Sequence, residues 1–195
     1  FGIKNFVFSS SCSLYGNLKE LPATEDSPLS EPESPYAYTK LMGEQILKDF
    51  SKVKLLLVGP FEIRDGLSEA CVRFIRDEIS IIHIDYTNDP AVYYRLMNLF
   101  ILPSYREGFP TVVLEASAMR LPVITTRKTG CVDSIIEDIT GTFCEIEPRS
   151  ICGAISKFIS DKSKIESFGN FGRKRVLEDF SQEVIWNDLF KVYHS

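Results

Sequence analysis

Two carboxylates bracket a turn in the middle of this chain. Glu107 and Glu115 stand with seven residues between them in Leu102-Pro-Ser-Tyr-Arg-Glu-Gly-Phe-Pro-Thr-Val-Val-Leu-Glu115. An ionised carboxylate only accepts hydrogen bonds, and each can take two hydroxyls. Between them, Gly108 allows a sharp turn, and Pro110 suits the first position of a helix predicted from Thr111 to Met119. Such a helix start aims unpaired N–H groups and the positive end of the helix dipole at an anion. Gly108, Phe109, Pro110, Thr111 and Val112 would surround that anion. Phosphate in the middle with hydroxyls on both sides is the chemistry of a sugar nucleotide. An isolated Glu pair at a helix start is ordinarily two surface side chains, so the context must decide.

The elements that would hold this turn alternate along the chain. Asn98–Leu102 is short and apolar, as a strand buried on both faces should be. Lys54–Val58, Ile79–Ile84, Leu121–Thr125 and Gly141–Glu145 read as further strands. Helices are predicted over Leu67–Glu78, Pro90–Met97 with Asp89 as N-cap, Cys131–Glu137, and about 150–160, 163–179 and 181–193. Nearer the start, Asn5–Ser9 reads as a strand and about 36–50 as a helix, with a Pro-rich acidic excursion over 17–35 between them. Strands alternating with helices imply an α/β fold, a Rossmann-like parallel sheet with crossover helices in one compact domain.

Other residues carry weaker signals. Arg127, Lys128 and Gly130 lie in a polar loop that should sit near the carboxyl edge of the sheet. His83, alone in a strand, reads as structural, with a lesser claim to a place near a nucleotide. Tyr93 and Tyr94 read as packing, and Trp186 and Phe190, four apart on one helix face, as core.

Composition narrows the classes. The 195 residues carry a net charge of −5, which argues against a nucleic-acid surface. Five cysteines (Cys12, Cys71, Cys131, Cys144 and Cys152) include no Cys-x-x-Cys pair. They suggest neither a metal site nor a disulfide framework, read as small buried hydrophobes, and fit a reducing cytoplasm. No apolar run reaches membrane-spanning length. The chain opens on Phe1 and leads straight into a strand, which suggests that it begins inside a longer reading frame.

With these residues in view, 53–195 resembles the C-terminal donor domain of family 4 retaining glycosyltransferases with the GT-B fold. The resemblance rests on the Glu107-(seven residues)-Glu115 stretch, on Met119-Arg-Leu-Pro-Val-Ile-Thr-Thr126 and on Thr129-Gly-Cys-Val-Asp-Ser134. It implies a hexosyltransferase type of activity, with Glu107 beside the donor sugar and Glu115 on the nucleotide ribose. It also implies a nucleotide-sugar donor, UDP-linked before others, a lipid-linked or saccharide acceptor, and no required cofactor or metal. Arg120 departs from the pattern, because the family has Gly there to close the helix in a left-handed conformation. A side chain disfavours that conformation by roughly 1 kcal/mol.

Residues 1–52 resemble a different family, the extended short-chain dehydrogenases, most closely UDP-glucose 4-epimerase. Ser9-Ser-Ser11, Tyr15-Gly16 and Ser34-Pro-Tyr-Ala-Tyr-Thr-Lys40 carry the likeness. It implies Tyr36 as acid/base, Lys40 lowering its pKa and binding the nicotinamide ribose, and Ser11 bonding the reacting hydroxyl. NAD would be the cofactor. No Gly-x-Gly-x-x-Gly occurs in these 195 residues, so NAD lacks the loop that holds its pyrophosphate. A GT-B donor domain begins strand–helix–strand, and its first strand and helix, with their phosphate-binding Arg and Lys, have no counterpart here. The epimerase-like strand and helix precede Lys54 in the same order and are expected to fill that place in one merged sheet. Three readings follow: a donor domain, incomplete without an acceptor-binding domain; an NAD-dependent epimerase or dehydratase fragment; and an inactive hybrid that at most binds nucleotide.

Overall fold

The computed structural model describes residues 6–8, 53–61 and 69–194. Six parallel strands form one sheet: β1 (Phe6–Phe8), β2 (Leu55–Val58), β3 (Ile81–Ile84), β4 (Phe100–Leu102), β5 (Val123–Thr126) and β6 (Gly141–Cys144). Their spatial order is β3-β2-β1-β4-β5-β6. β1 lies between β2 and β4, with Val7 opposite Leu56 on one side and Phe100 on the other. The first three strands run outward in one direction from the centre and the next three in the other. That reversal between β1 and β4 is the topological switch point of a doubly wound sheet.

Because side chains alternate across a strand, each buried strand feeds two cores. Leu55, Ile101 and Ile124 point to one face, where Cys71 and Ile75 of α1 (Glu69–Asp77) and Ile151, Ile155 and Phe158 of α4 (Pro148–Ser160) cover them. Leu56, Phe100, Leu102 and Val123 point to the other. There Tyr94 of α2 (Pro90–Tyr94) and Val113 and Ala116 of α3 (Thr111–Ala118) close the layer. α5 (Lys162–Asp179) adds Phe168 to the first core and also presses on the end of α3. An ideal Cβ at Gly169 would lie 2.1 Å from the Arg120 carbonyl oxygen, so the two helices meet through a residue with no side chain. Arg120 sits at φ 62, the left-handed helix end expected of that position.

Some boundaries differ from the sequence reading. β3 begins at Ile81, because Glu78 takes the Ser80 N–H at 3.1 Å and its hydroxyl at 2.6 Å, and Ile81 N–H closes on Glu78 O. These bonds turn the chain and leave Ile79 exposed. They also lower the Glu78 carboxyl below its usual range. α2 ends at Tyr94, and the next residues tighten into i→i−3 bonds from Leu96 to Tyr93 and from Met97 to Tyr94. Asp89 precedes α2 without capping it through its side chain. The predicted helix over Cys131–Glu137 is a series of turns instead. Ser134 bonds the Cys131 carbonyl through both its N–H and its hydroxyl, and Glu137 bridges to Gly141.

Trp186 and Phe190 are not core. They stand 61% and 62% exposed on α6 (Gln182–Tyr193), where Ile185, Leu189, Val192 and Tyr193 are exposed as well. Their i, i+4 spacing puts them on one face, which stays exposed although the Phe190 ring lies 4.0 Å from that of His194. Cys71, Cys131, Cys144 and Cys152 are buried as expected, and burial, then the Glu145 charge, pushes the Cys144 thiol up to about 12. Cys12, Asn5 and Ser9, the 17–35 excursion, the 36–50 helix and the start of the 67–78 helix lie outside the described residues. No helix among the described residues is long and apolar enough to cross a membrane.

Candidate functional site

β4 delivers the chain to the carboxyl edge of the sheet beside β1, with Ile101 opposite Phe8. The turn that follows is fixed by threonines of the neighbouring strand. Thr125 Oγ1 donates to Leu102 O at 2.9 Å, and Thr126 Oγ1 donates to Ser104 O. Glu107 N–H then donates to Thr129 O at 3.0 Å, tying the turn to the loop after β5. Gly130, at φ 80, lies directly on this turn: a Cβ there would meet Glu107 O at 2.3 Å and Gly108 O at 2.7 Å. The β5 loop therefore forms one wall of the site.

Glu107 is half-buried, and Gly108, Phe109 and Thr111 are exposed. α3 starts at Thr111, one residue later than a helix with Pro110 in its first position would start. No side chain caps this helix, and only Val113 N–H turns back, to Pro110 O at 2.9 Å. The helix start is thus open to an external acceptor. Pro110 has no N–H to offer, so Gly108, Phe109, Thr111 and Val112 would be the donors. Gly108 differs from its sequence reading. Its φ lies outside the left-handed region, and open space faces it with nothing within 4 Å of an ideal Cβ. What Gly108 supplies is a bare backbone toward solvent, not an unusual bend.

Glu115, one turn and a residue further along α3, is exposed and shares this edge. Its Oε2 accepts the Tyr94 hydroxyl at 2.9 Å. Tyr94 is buried, and its ring packs edge-on to Phe100 at 5.8 Å. Burial first, then the Glu115 charge and the hydrogen bond, raise the Tyr94 phenol well above its ordinary value. It therefore acts as a neutral donor to the carboxylate. Sequence reading placed Tyr94 in the packing, which is true of its ring and misses its hydroxyl. An apolar helix ending in a tyrosine that must reach Glu115 carries no local signal.

On the far side, the Phe109 ring lies 5.6 Å from Phe180, and the Arg175 guanidinium sits 5.0 Å over Phe180. Arg175 also donates to Ser134 O at 2.8 Å and Asp133 O at 2.7 Å. One guanidinium thus joins the end of α5 to the loop that walls the site. Burial lowers the Arg175 pKa, while the Asp179 and Asp133 charges oppose the shift.

Arg127 turns to the β6 edge, paired with Glu137 and stacked 4.5 Å over Phe143. His83 bonds Gly59 O at 2.8 Å and stacks on Phe61 at 4.1 Å. It lies on β3, three places from β4 in the sheet, and the contacts it makes there join β3 to the chain after β2. Ser11, Tyr36 and Lys40 lie outside the described residues.

Residues 41–175 match the family model described as glycosyl transferases group 1, more than half of the chain. The chain belongs to this family. As a group 1 glycosyl transferase it is 38% identical over 144 residues to the capsular polysaccharide biosynthesis glycosyltransferase CapM of Staphylococcus aureus, covering 73% of this chain and 38% of CapM. Residues 1–57 match the NAD dependent epimerase/dehydratase family. This part is 49% identical over 47 residues to UDP-glucose 4-epimerase of Yersinia pestis, or 24% of this chain and 14% of that enzyme. The fold is that of GT-B glycosyltransferases. The structure of Anabaena HepE in complex with UDP and glucose superposes with a TM-score of 0.72 at 17% identity, over 98% of this chain and 49% of HepE. The chain spans well under half the length of the curated relatives it matches.

Proposed function

We propose that this chain binds the nucleotide-diphosphate sugar donor of a retaining glycosyltransferase, a UDP-sugar before other donors. The observation that carries this reading is the uncapped start of α3 at the sheet's switch point, with Glu107 and Glu115 on either side of it. The N–H groups of Gly108, Phe109, Thr111 and Val112 would take the diphosphate, which the helix dipole favours. Glu115 would accept the ribose hydroxyls, and Glu107, beside the open space at Gly108, would face the sugar. In the transfer, the C1–O bond to the diphosphate breaks and a C1–O bond to an acceptor hydroxyl forms on the same face. The acceptor proton passes to an oxygen of the departing diphosphate, which the turn would hold. The acceptor, lipid-linked or saccharide, would be held by a domain that these 195 residues do not include.

Affinity for donor should be modest. The basic groups expected upstream have no counterpart here, and each charge-assisted bond lost removes ~1.5–3 kcal/mol, or roughly one to two decades. The epimerase-like reading has a sequence match behind it. These residues do not fit NAD, since they hold no Gly-x-Gly-x-x-Gly to cradle a pyrophosphate. Isothermal titration with UDP, UDP-glucose and NAD tests both readings. UDP should bind and NAD should not. Glu115→Gln should weaken UDP itself, because one acceptor oxygen becomes a donor. Glu107→Gln should spare UDP and weaken only UDP-glucose. If wild type binds and both variants match it for both ligands, the residue assignment is wrong.

A further inference from the structure

Tyr94 stands outside the turn and outside both carboxylates, yet its hydroxyl is bonded to one of them. We propose that Tyr94 is a positioning residue for nucleotide recognition, holding the Glu115 carboxylate in the one orientation that presents its second oxygen to the ribose. This rests on the donor-site reading above and deepens it.

The geometry gives three reasons. Glu115 is exposed on α3, and a free glutamate there would sample several rotamers, an entropy that ligand binding would have to remove. The Tyr94 ring is held, because it is buried in the core on that face of the sheet and packs edge-on to Phe100. Its hydroxyl reaches Glu115 Oε2 at 2.9 Å, with Val112 O at 3.5 Å as the other acceptor in reach. A bond to Oε2 leaves Oε1 for the ligand. The tyrosine also comes from α2, before β4, whereas Glu115 follows it. The orientation of the carboxylate is thus set by the sheet layer and not by its own helix. A phenol is a fitting choice, since burial and the neighbouring carboxylate keep it protonated and donating.

Tyr94→Phe keeps the buried ring and removes only the hydroxyl. UDP affinity should fall about three- to tenfold, the loss of one preorganising hydrogen bond. The preference for UDP over 2′-deoxy-UDP should narrow, because a loose carboxylate discriminates the hydroxyl less well. A purely structural role would weaken both ligands alike. In the Glu115→Ala background, Tyr94→Phe should change UDP affinity no further. Independent losses in that double-mutant cycle, or a variant with wild-type affinity and preference, would overturn the proposal. A ligand-free crystal structure of Tyr94→Phe separates this proposal from the donor-site reading. It should show the Glu115 carboxylate displaced or spread over rotamers on an unchanged backbone. If wild type binds no UDP, the donor-site reading fails. If the carboxylate keeps its place without the hydroxyl, the positioning role fails, whatever UDP does.

Discussion

Adding one methyl group at residue 130 should dislodge the turn that carries Glu107. Alanine there would set its Cβ 2.3 Å from Glu107 O, 2.7 Å from Glu107 C and 2.7 Å from Gly108 O. All three are backbone atoms, so no flexible side-chain end can move aside. The residue also sits at φ 80, where a side chain costs about 1–2 kcal/mol. Overpacking a tight contact adds typically ~1–3 kcal/mol. The sum is about 2–5 kcal/mol against a total stability on the order of 5–15 kcal/mol. For a chain of this length, each kcal/mol moves the melting temperature by roughly 2–4 °C, so Gly130→Ala should melt roughly 4–20 °C lower. Calorimetry on the two proteins reads this directly. Gly153→Ala is the comparison: an exposed position inside α4 with nothing within 4 Å, where alanine should gain about 0.5–1 kcal/mol of helix stability. Relief by moving the turn would weaken UDP-glucose binding in Gly130→Ala even below its melting range. A Gly130→Ala protein that melts within a degree or two of wild type and binds as well would refute the contact and the wall built on it.

Three further outcomes are expected. Gly108→Ala should melt like wild type, since open space faces that position, but should bind UDP-glucose more weakly if the space belongs to donor; unchanged titration would remove Gly108 from the site. Gly169→Ala should lower the melting temperature by several degrees although alanine favours helix by about 1 kcal/mol, because its Cβ would strike the Arg120 carbonyl; a stabilised variant in a thermal scan would show that α5 does not press on α3 there. Phe180→Leu should weaken UDP binding severalfold at little loss of stability, by removing the ring between Arg175 and Phe109, and titration beside a urea curve separates the two effects.

The parts of this structure that sequence exposes are those whose cause is local. Apolar runs such as Leu99–Leu102 and Val123–Ile124 lie in buried strands because a parallel sheet is covered on both faces. The start of α3 followed from Pro110 and the apolar run after it, whereas the left-handed end at Arg120 was implied by the family resemblance and not by the local pattern. What stayed hidden depends on partners far along the chain. Ser134 reads as a helix residue, whereas its carbonyl is taken by Arg175, 41 residues further on. Trp186 and Phe190 read as core because periodicity reports a shared face and not what covers it. Gly108 reads as a bend, and only the open space before it shows a different use. Tyr94 and Arg175 meet the site from 21 and 41 residues away, across different layers.

The same distinction explains how residues similar to another family occupy the middle of this sheet. β1 joins β2 and β4 through parallel backbone ladders, with Phe6 opposite Leu55 and Phe8 opposite Ile101. Such a ladder uses only N–H and C=O groups, so it asks of the strand length, direction and apolarity, and little about identity. Phe-Val-Phe meets those terms whatever its origin. The site is more demanding, because it needs Glu107, Gly108 and Glu115 at fixed places relative to Tyr94, Thr129 and Gly130. All of those residues lie after β2, inside the span that matches the transferase family. A strand can therefore be exchanged at the switch point while the contacts described from β5, α2 and α5 still hold the turn and its carboxylates.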